Sequence, residues 1–430
     1  MATPPIAILG AGLTGLSAAH HLGEGYQLYE ALGHVGGHAI TLEEGGYRFD
    51  RTGHLLHLRD PAIRRWVEGV FPAGRLLTVN RRSMVFSHGR YTRYPYQANT
   101  FGLPPEVAYE CLLGYLRARQ ESHPPPGNFE EFCLQHFGEG FSKHFMIPYN
   151  SRLWGVHPRE ITAAWCSRFV PMPKLEDVLA GAVGLNDREL GYNTSFLYPP
   201  TGIHELPEAL ARDLQPPAFH RAPASIDWRG RRLRFPDGQV VPYRALISTA
   251  PLKALVGLLE DPPEEVRRAA EALRCSRLHY LDVASRKPAG RDLHWVYVPE
   301  EKYPFYRVGV YSNFSPAMAP PEGSSYYVEL ASRETPSLEA LLPGVLSGLV
   351  ELGLLSAPED LCFARVRTIE WAYVIFDHAY YASLEVLRPF LASAGIVSQG
   401  RYGGWNYSSM EDALIFGRDA ALEARAMVSP

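Results

Sequence analysis

The chain has 430 residues, 46% of them hydrophobic and 12% aromatic, with a formal charge of −4. That length supports about two to three domains, and the composition excludes a disordered or fibrous chain. The charge gives no basis for nucleic-acid binding, no stretch approaches the ~18 apolar residues of a membrane span, and five scattered cysteines lack zinc or disulfide spacing. The N-terminal apolar run reads as a strand rather than a signal peptide, so a reducing cytoplasm is the expected compartment.

In chain order, Ile6–Leu9 predicts a short buried strand, and Gly10-Ala-Gly12-Leu13-Thr14-Gly15 follows at once. The small-residue run Leu16–Leu22 predicts a helix, and Tyr26–Tyr29 a second strand that ends on Glu30. This is the strand, turn and helix context that a dinucleotide glycine motif requires. Gly10 allows the tight turn, Gly12 lets the backbone approach a pyrophosphate, and Gly15 lets helix and strand pack closely. Leu13 and Thr14 open the helix, whose N-terminus offers free N–H groups and a positive dipole end. Glu30 stands eighteen residues past Gly12, where a carboxylate accepts hydrogen bonds from a ribose.

Val35-Gly36-Gly37-His38 comes next, then Ile40 through Asp50, then Thr52-Gly53-His54. The second glycine pair after the acidic strand, closed by a glycine–aspartate–glycine segment, resembles the extended FAD signature of amine-oxidase and glutathione-reductase type flavoproteins. The resemblance implies FAD. No cysteine follows Cys362, which argues against a C-terminal thioether to the flavin and for non-covalent attachment.

Pro61–Val67 predicts a short helix, and Ser83–Phe86 with Gly89–Arg93 a hairpin that ends in the aromatic and amide-rich loop Tyr94–Thr100. From about 104 to 185 the spacing turns helical. Pro124–Gly127 breaks it, and Asn128 with Glu131 marks a new N-cap. Tyr243–Pro251, which carries Thr249, reads as a strand re-entering the first domain. Leu278–Val283, His294–Val298 and Ser325–Leu330 predict further strands, with one helix near 337–352. Residues 395–425 read as strand, glycine turn and helix, with Met410 opening that helix against the flavin. The expected fold is α/β: a Rossmann-type FAD-binding domain from 1–80, 200–262 and 366–430, a helical cap or substrate domain from 81–199, and an antiparallel substrate-domain sheet from 263–365.

Four more stretches resemble the UDP-galactopyranose mutases. They are Tyr94-Pro-Tyr96-Gln97-x-Asn99, the block His144 to Trp154 with Tyr149-Asn150-x-x-x-Trp154, the strand Phe305-Tyr-Arg307 running to Asn313, and Gly400-Arg401-Tyr-Gly-Gly-Trp405-Asn-Tyr407. That family interconverts pyranose and furanose forms of a UDP-sugar with reduced FAD as nucleophile. The resemblance implies that Arg307, His54 and Tyr407 serve catalysis. It implies that Tyr96, Gln97, Asn99, Asn150, Trp154, Asn313 and Tyr373 bind substrate. It also adds Gly36, Gly37, His38, Gly53, Thr249, Gly400, Arg401, Tyr407 and Met410 to the cofactor site. NAD(P)H is the expected reductant and a nucleotide sugar the expected partner. One departure stands out: leucine, at Leu197, occupies the place of a diphosphate-holding arginine, so either Lys174 or Arg168 substitutes for it or the substrate is not UDP-galactose.

Two rival readings stay open. An amine-oxidase or protoporphyrinogen-oxidase type enzyme would need an aromatic cage, for which Tyr373, Tyr380 and Tyr381 are candidates. A flavin-bound partner protein without turnover is the third. Convergence of Arg307 and Arg401 favours a diphosphate substrate, and a closed cage favours oxidation. His144, His204 and His279 read as structural histidines, and nothing resembles a metal site.

Overall fold

A computed structural model describes residues 4–166, 170–185, 194–331 and 334–429. In the first leg, β1 (Ile6–Leu9), α1 (Leu13–Leu22) and β2 (Tyr26–Tyr29) are followed by the hairpin β3 (Thr41–Glu44) and β4 (Tyr47–Asp50). Then come α2 (Pro61–Gly69), β5 (Leu77–Asn80) and the hairpin β6 (Ser83–Ser87) and β7 (Arg90–Arg93). The helical leg holds α3 (Pro105–Gln120), α4 (Phe129–Phe141), α5 (Ile147–Trp154) and α6 (Leu175–Ala182). The return leg holds β8 (Ser195–Tyr198) and β9 (Leu246–Ser248). Next are β10 (Leu278–Ser285), β11 (Trp295–Tyr297), β12 (Phe305–Val310), β13 (Ser324–Leu330), α7 (Leu338–Glu351) and β14 (Leu361–Ile369). The chain ends in α8 (His378–Ser393), β15 (Ile396–Ser398) and α9 (Met410–Val428).

Two sheets position the site. The parallel sheet runs β15-β9-β1-β2, so strands from both chain ends meet beside the first glycine turn. Helices α1 and α9 cover it. They can approach because a Cβ on Gly417 would overlap the Thr14 carbonyl oxygen. The second sheet has seven strands in the order β14-β10-β13-β12-β11-β6-β7. On one face Val308 and Val328 form an apolar cluster with Val345 and Leu349 of α7. Tyr280, Asp282, Tyr327 and Glu329 alternate onto the other face.

The expected class, α/β with a Rossmann-type cofactor domain, is the one observed. The hairpin at 83–93 belongs to the seven-stranded sheet, not to the helical segment with which the sequence groups it. β6 pairs in parallel with β11, Ser83 opposite Trp295, because its main-chain groups are satisfied there rather than by helices. That contact also makes the sheet mixed rather than purely antiparallel. Likewise β14 continues to Ile369 as an edge strand, past the expected boundary at 365. The N-cap at Asn128 forms, its Oδ1 accepting from Glu131 N at 2.9 Å. The Glu131 carboxylate answers by accepting from Gly127 N and from Asn128 Nδ2, both at 2.8 Å, rather than from the cap's backbone N–H. Helices α3 and α4 cross at Gly114, Gly138 and Gly140, where a Cβ on any of the three would meet facing backbone.

Candidate functional site

The glycine turn between β1 and α1 has the shape its sequence implies. Gly10 takes φ +100°, a conformation that favours glycine. The Oγ1 of Thr249 donates to the Leu9 carbonyl at 2.9 Å behind it. A Cβ on Gly15 would overlap the Gly10 carbonyl, so helix and strand pack only without one. Glu30 is buried, and its Oε2 accepts from Ala11 N at 2.7 Å while Oε1 accepts from Leu32 N at 2.8 Å. Each carboxylate oxygen keeps a further lone pair for a ribose hydroxyl.

The second glycine pair lies against the first. Gly12 bridges Gly36, and a Cβ on Gly12 would meet nothing nearer than the Gly37 Cα at 3.9 Å. The turn therefore leaves an open cradle beside the N-terminus of α1, where Leu13 and Thr14 begin the helix. Gly400, at φ +96°, closes on Thr14. Gly53 approaches the Tyr327 hydroxyl so closely that a Cβ would stand 2.7 Å from it. Met410 is buried at the start of α9. Among these groups the His54 Nδ1 is buried with no hydrogen-bond partner, a costly state unless another group meets it. The cradle and this atom fit a bound dinucleotide flavin.

Two arginines flank the histidines. Arg401 donates to the carbonyls of Ser408 at 2.7 Å and Ala372 at 3.2 Å. Burial, then the Arg401 charge, lowers His54 to about 4. Burial, then Arg51, lowers His38 to about 3, and Arg51 Nη1 lies 3.2 Å from the His38 Nδ1. Both rings are neutral at physiological pH. Arg51 was not anticipated from sequence. Its only signal was position, between the buried Asp50 and the Gly53 turn.

The substrate-side candidates divide. Arg307 Nη2 donates to the Tyr373 hydroxyl at 3.2 Å, and the Arg401 guanidinium stands 5.7 Å from the Tyr373 ring and 4.9 Å from the Tyr407 ring. Trp154 packs against the same two rings, at 5.6 and 5.8 Å, and its Nε1 is buried without a partner. So Arg307, Arg401, Tyr373, Tyr407 and Trp154 come together. Tyr96 stacks on Phe145 at 5.0 Å, and Phe145 on Tyr149 at 5.2 Å. Tyr149 in turn meets Tyr297. A cleft of about 570 Å³ is lined by Trp154 together with Arg274, Arg277, Tyr306 and Trp371.

Other expectations need correction. Arg307 is not a free cation, because its Nε and Nη2 meet the Glu329 carboxylate at 2.9 and 2.6 Å. Asn313 is not in the cluster: its Nδ2 is spent on the carbonyls of Arg291 and Leu293, at 3.0 and 2.6 Å. The amides of Gln97, Asn99 and Asn150 donate to the carbonyls of Pro171, Pro95 and Met146. Each bond uses one of the two amide N–H donors and leaves the second N–H and the amide oxygen for a ligand. The cage of Tyr373 with Tyr380 and Tyr381 does not form. Tyr380 packs on Phe376 and Tyr381 at the start of α8, and Tyr381 is exposed. Leu197 pairs with Leu56, Lys174 caps α6, and Arg168 lies outside the described residues.

A family model described as flavin containing amine oxidoreductase matches residues 13–424. A crystal structure of reduced UDP-galactopyranose mutase is similar, with a TM-score of 0.92 and 28% identity, covering 98% of this chain and 93% of that one. A putative protoporphyrinogen oxidase from Exiguobacterium sp. shares the fold, with a TM-score of 0.76, 16% identity and coverage of 98% of each chain. A putrescine oxidase bound to putrescine shares it too, with a TM-score of 0.67, 15% identity and coverage of 98% and 99%. Among the described residues no helix is long and apolar enough to cross a membrane. With its glycine turns, acidic β2 terminus and C-terminal Gly400 turn all in one sheet's reach, the chain belongs to the flavin containing amine oxidoreductase family.

Proposed function

We propose that the chain is a flavin-dependent mutase of the UDP-galactopyranose mutase type, contracting and expanding the ring of a nucleotide sugar without net redox change. One observation carries the reading: Arg307 and Arg401, from different elements, converge on Tyr373. A diphosphate needs donors that keep their charge, which guanidinium groups do. The Tyr373 and Tyr407 hydroxyls can donate beside them. Glu329 cancels the charge of Arg307 and fixes its fork, so the net positive charge here comes from Arg401.

Reduced FAD, when bound, supplies the nucleophile for the anomeric carbon. The chain's own groups do the rest. Tyr96, Phe145 and Tyr149 stack on one another and brace α5, which carries Trp154. Trp154 and Tyr373 are buried, which keeps water from the reacting carbon. His54 stays neutral at the cofactor turn. NAD(P)H is the proposed reductant, and its test is anaerobic bleaching of the flavin band on addition of the dinucleotide.

The decisive test uses dithionite-reduced protein, a panel of UDP- and dTDP-sugars, and chromatography of pyranose and furanose forms. Exchange that appears with reduced but not oxidised flavin supports the proposal. Absence of exchange with every sugar, together with peroxide from an amine or a porphyrinogen, sinks it. That second reading draws on the Trp154, Tyr373 and Tyr407 rings, which could also line an amine site.

A further inference from the structure

We infer that Arg51 and His38 act as one unit, a neutral N–H donor fixed by a guanidinium, that holds the pyrophosphate of the dinucleotide cofactor. Arg51 leaves the end of β4 and places its Nη1 3.2 Å from the His38 Nδ1. A guanidinium only donates, so Nδ1 must accept, and the proton of a neutral imidazole then sits on Nε2. Burial and the charges of Arg51, His54 and Arg401 keep this ring neutral. The Tyr402 ring holds it edge-on, at 5.4 Å between centroids. His38 is thereby a donor of fixed tautomer and direction.

Its address is the pyrophosphate turn. His38 directly follows Gly37, whose only near neighbour for an added Cβ is the Gly12 Cα at 3.4 Å. Gly12 is the residue through which the backbone approaches a pyrophosphate. Helix α1 brings N–H groups and a dipole to that point, but no basic side chain in its first turns. Arg51 adds a full positive charge at His38 itself, beside the charge of Arg401 that also reaches this ring. Among the described residues no carboxylate forms an ion pair with it. The acid that feels its charge, Asp282, is already held by Arg367 at 2.9 Å. A half-buried cation whose side-chain partner is a neutral ring is a site prepared for an anion.

The test uses the full-length protein stripped of flavin, with FAD and ADP as titrants. ADP carries the same diphosphate without the isoalloxazine. Arg51→Met and His38→Ala should each weaken both ligands tenfold or more, and the double variant should be little worse than either, as for one unit. Arg51→Lys, which keeps the charge but not the fork, should fall between and serves if Arg51→Met does not fold. The midpoint potential of bound FAD should stay where it is in wild type. FAD and ADP affinities within twofold of wild type in the Arg51 variants overturn the inference. So does a shifted potential with unchanged ADP affinity, which would put Arg51 against the isoalloxazine instead. Failure of the wild-type protein to bind FAD would reject the cofactor itself, a separate outcome.

Discussion

Arg307 and Glu329 are register partners on adjacent strands, and their side chains close a two-pronged ion pair whose carboxylate is fully buried. Removing one member of such a pair leaves the other charged and unpaired, at a cost of about 3–5 kcal/mol. Arg307→Met alone should therefore lower stability by about that amount in a urea titration. Arg307→Met combined with Glu329→Gln should recover much of it. Mutase activity distinguishes a role in substrate binding from a purely structural one. If Arg307 also touches the diphosphate, the double variant stays at least ~10-fold down in kcat/KM while its stability returns. Recovery of both would reduce Arg307 to a structural residue.

The contact of α1 with α9 depends on a missing methyl group. A Cβ on Gly417 would overlap Thr14 O and crowd Ser17 Cβ, so Gly417→Ala must push the helix away. Overpacking of this kind costs about 1–3 kcal/mol. Because Thr14 opens the helix at the dinucleotide turn, flavin retention should fall as well, as read from the protein-bound absorbance after gel filtration. Gly257 is the control, since nothing lies within 4 Å of its Cβ position on the helix Leu252–Leu258. Gly257→Ala should be neutral or stabilise by about 0.4–1 kcal/mol.

The cofactor half of the molecule was legible because each of its features is local. Gly10, Gly12, Gly15 and Glu30 sit within one strand–turn–helix–strand unit, and their spacing alone dictates the turn. The Arg307–Glu329 pair was not legible, although both residues stand in strands that were recognised. Its existence depends on the register between β12 and β13, which no local pattern states. A buried glutamate in the run Ser325–Leu330 demands a cation, and that demand was the available signal. The placement of Asn313 was not legible for another reason. Its place in a matching motif fixed its residue type, but its amide is spent on the 291–293 carbonyls. Hydrogen-bond capacity is a property of the folded neighbourhood, and the letter does not carry it.

His54 should resist protonation. Its folded value lies near 4, below the 6.5 of an unfolded chain. Between those values the unfolded state binds the proton and the native state does not. The contribution of His54 to stability is thus fully present above pH 6.5 and is lost as pH falls toward 4. In practice His54→Asn should flatten the acid limb of the stability profile. Imidazole nitrogen shifts should report a neutral ring at pH 6. A charged His54 at that pH would contradict the burial of its site.

Asp50 reverses that sign. Burial raises it to about 7 despite hydrogen bonds from Thr41, Tyr198 and Ile203 N. From pH 3.8 to about 7 the native state keeps a proton that the unfolded chain has released. Stability from this group is present below 3.8, declines through that window, and is constant above it. The steepest slope for one such proton is about 1.36 kcal/mol per pH unit. Asp50→Asn holds the neutral form at every pH, so its stability relative to wild type should climb from pH 4 to 7 and then level. Paired urea titrations of the two proteins isolate the term from all other carboxylates. A difference that stays flat across the window would mean that the three donors to Asp50 outweigh its burial and that it is ionised in the native state.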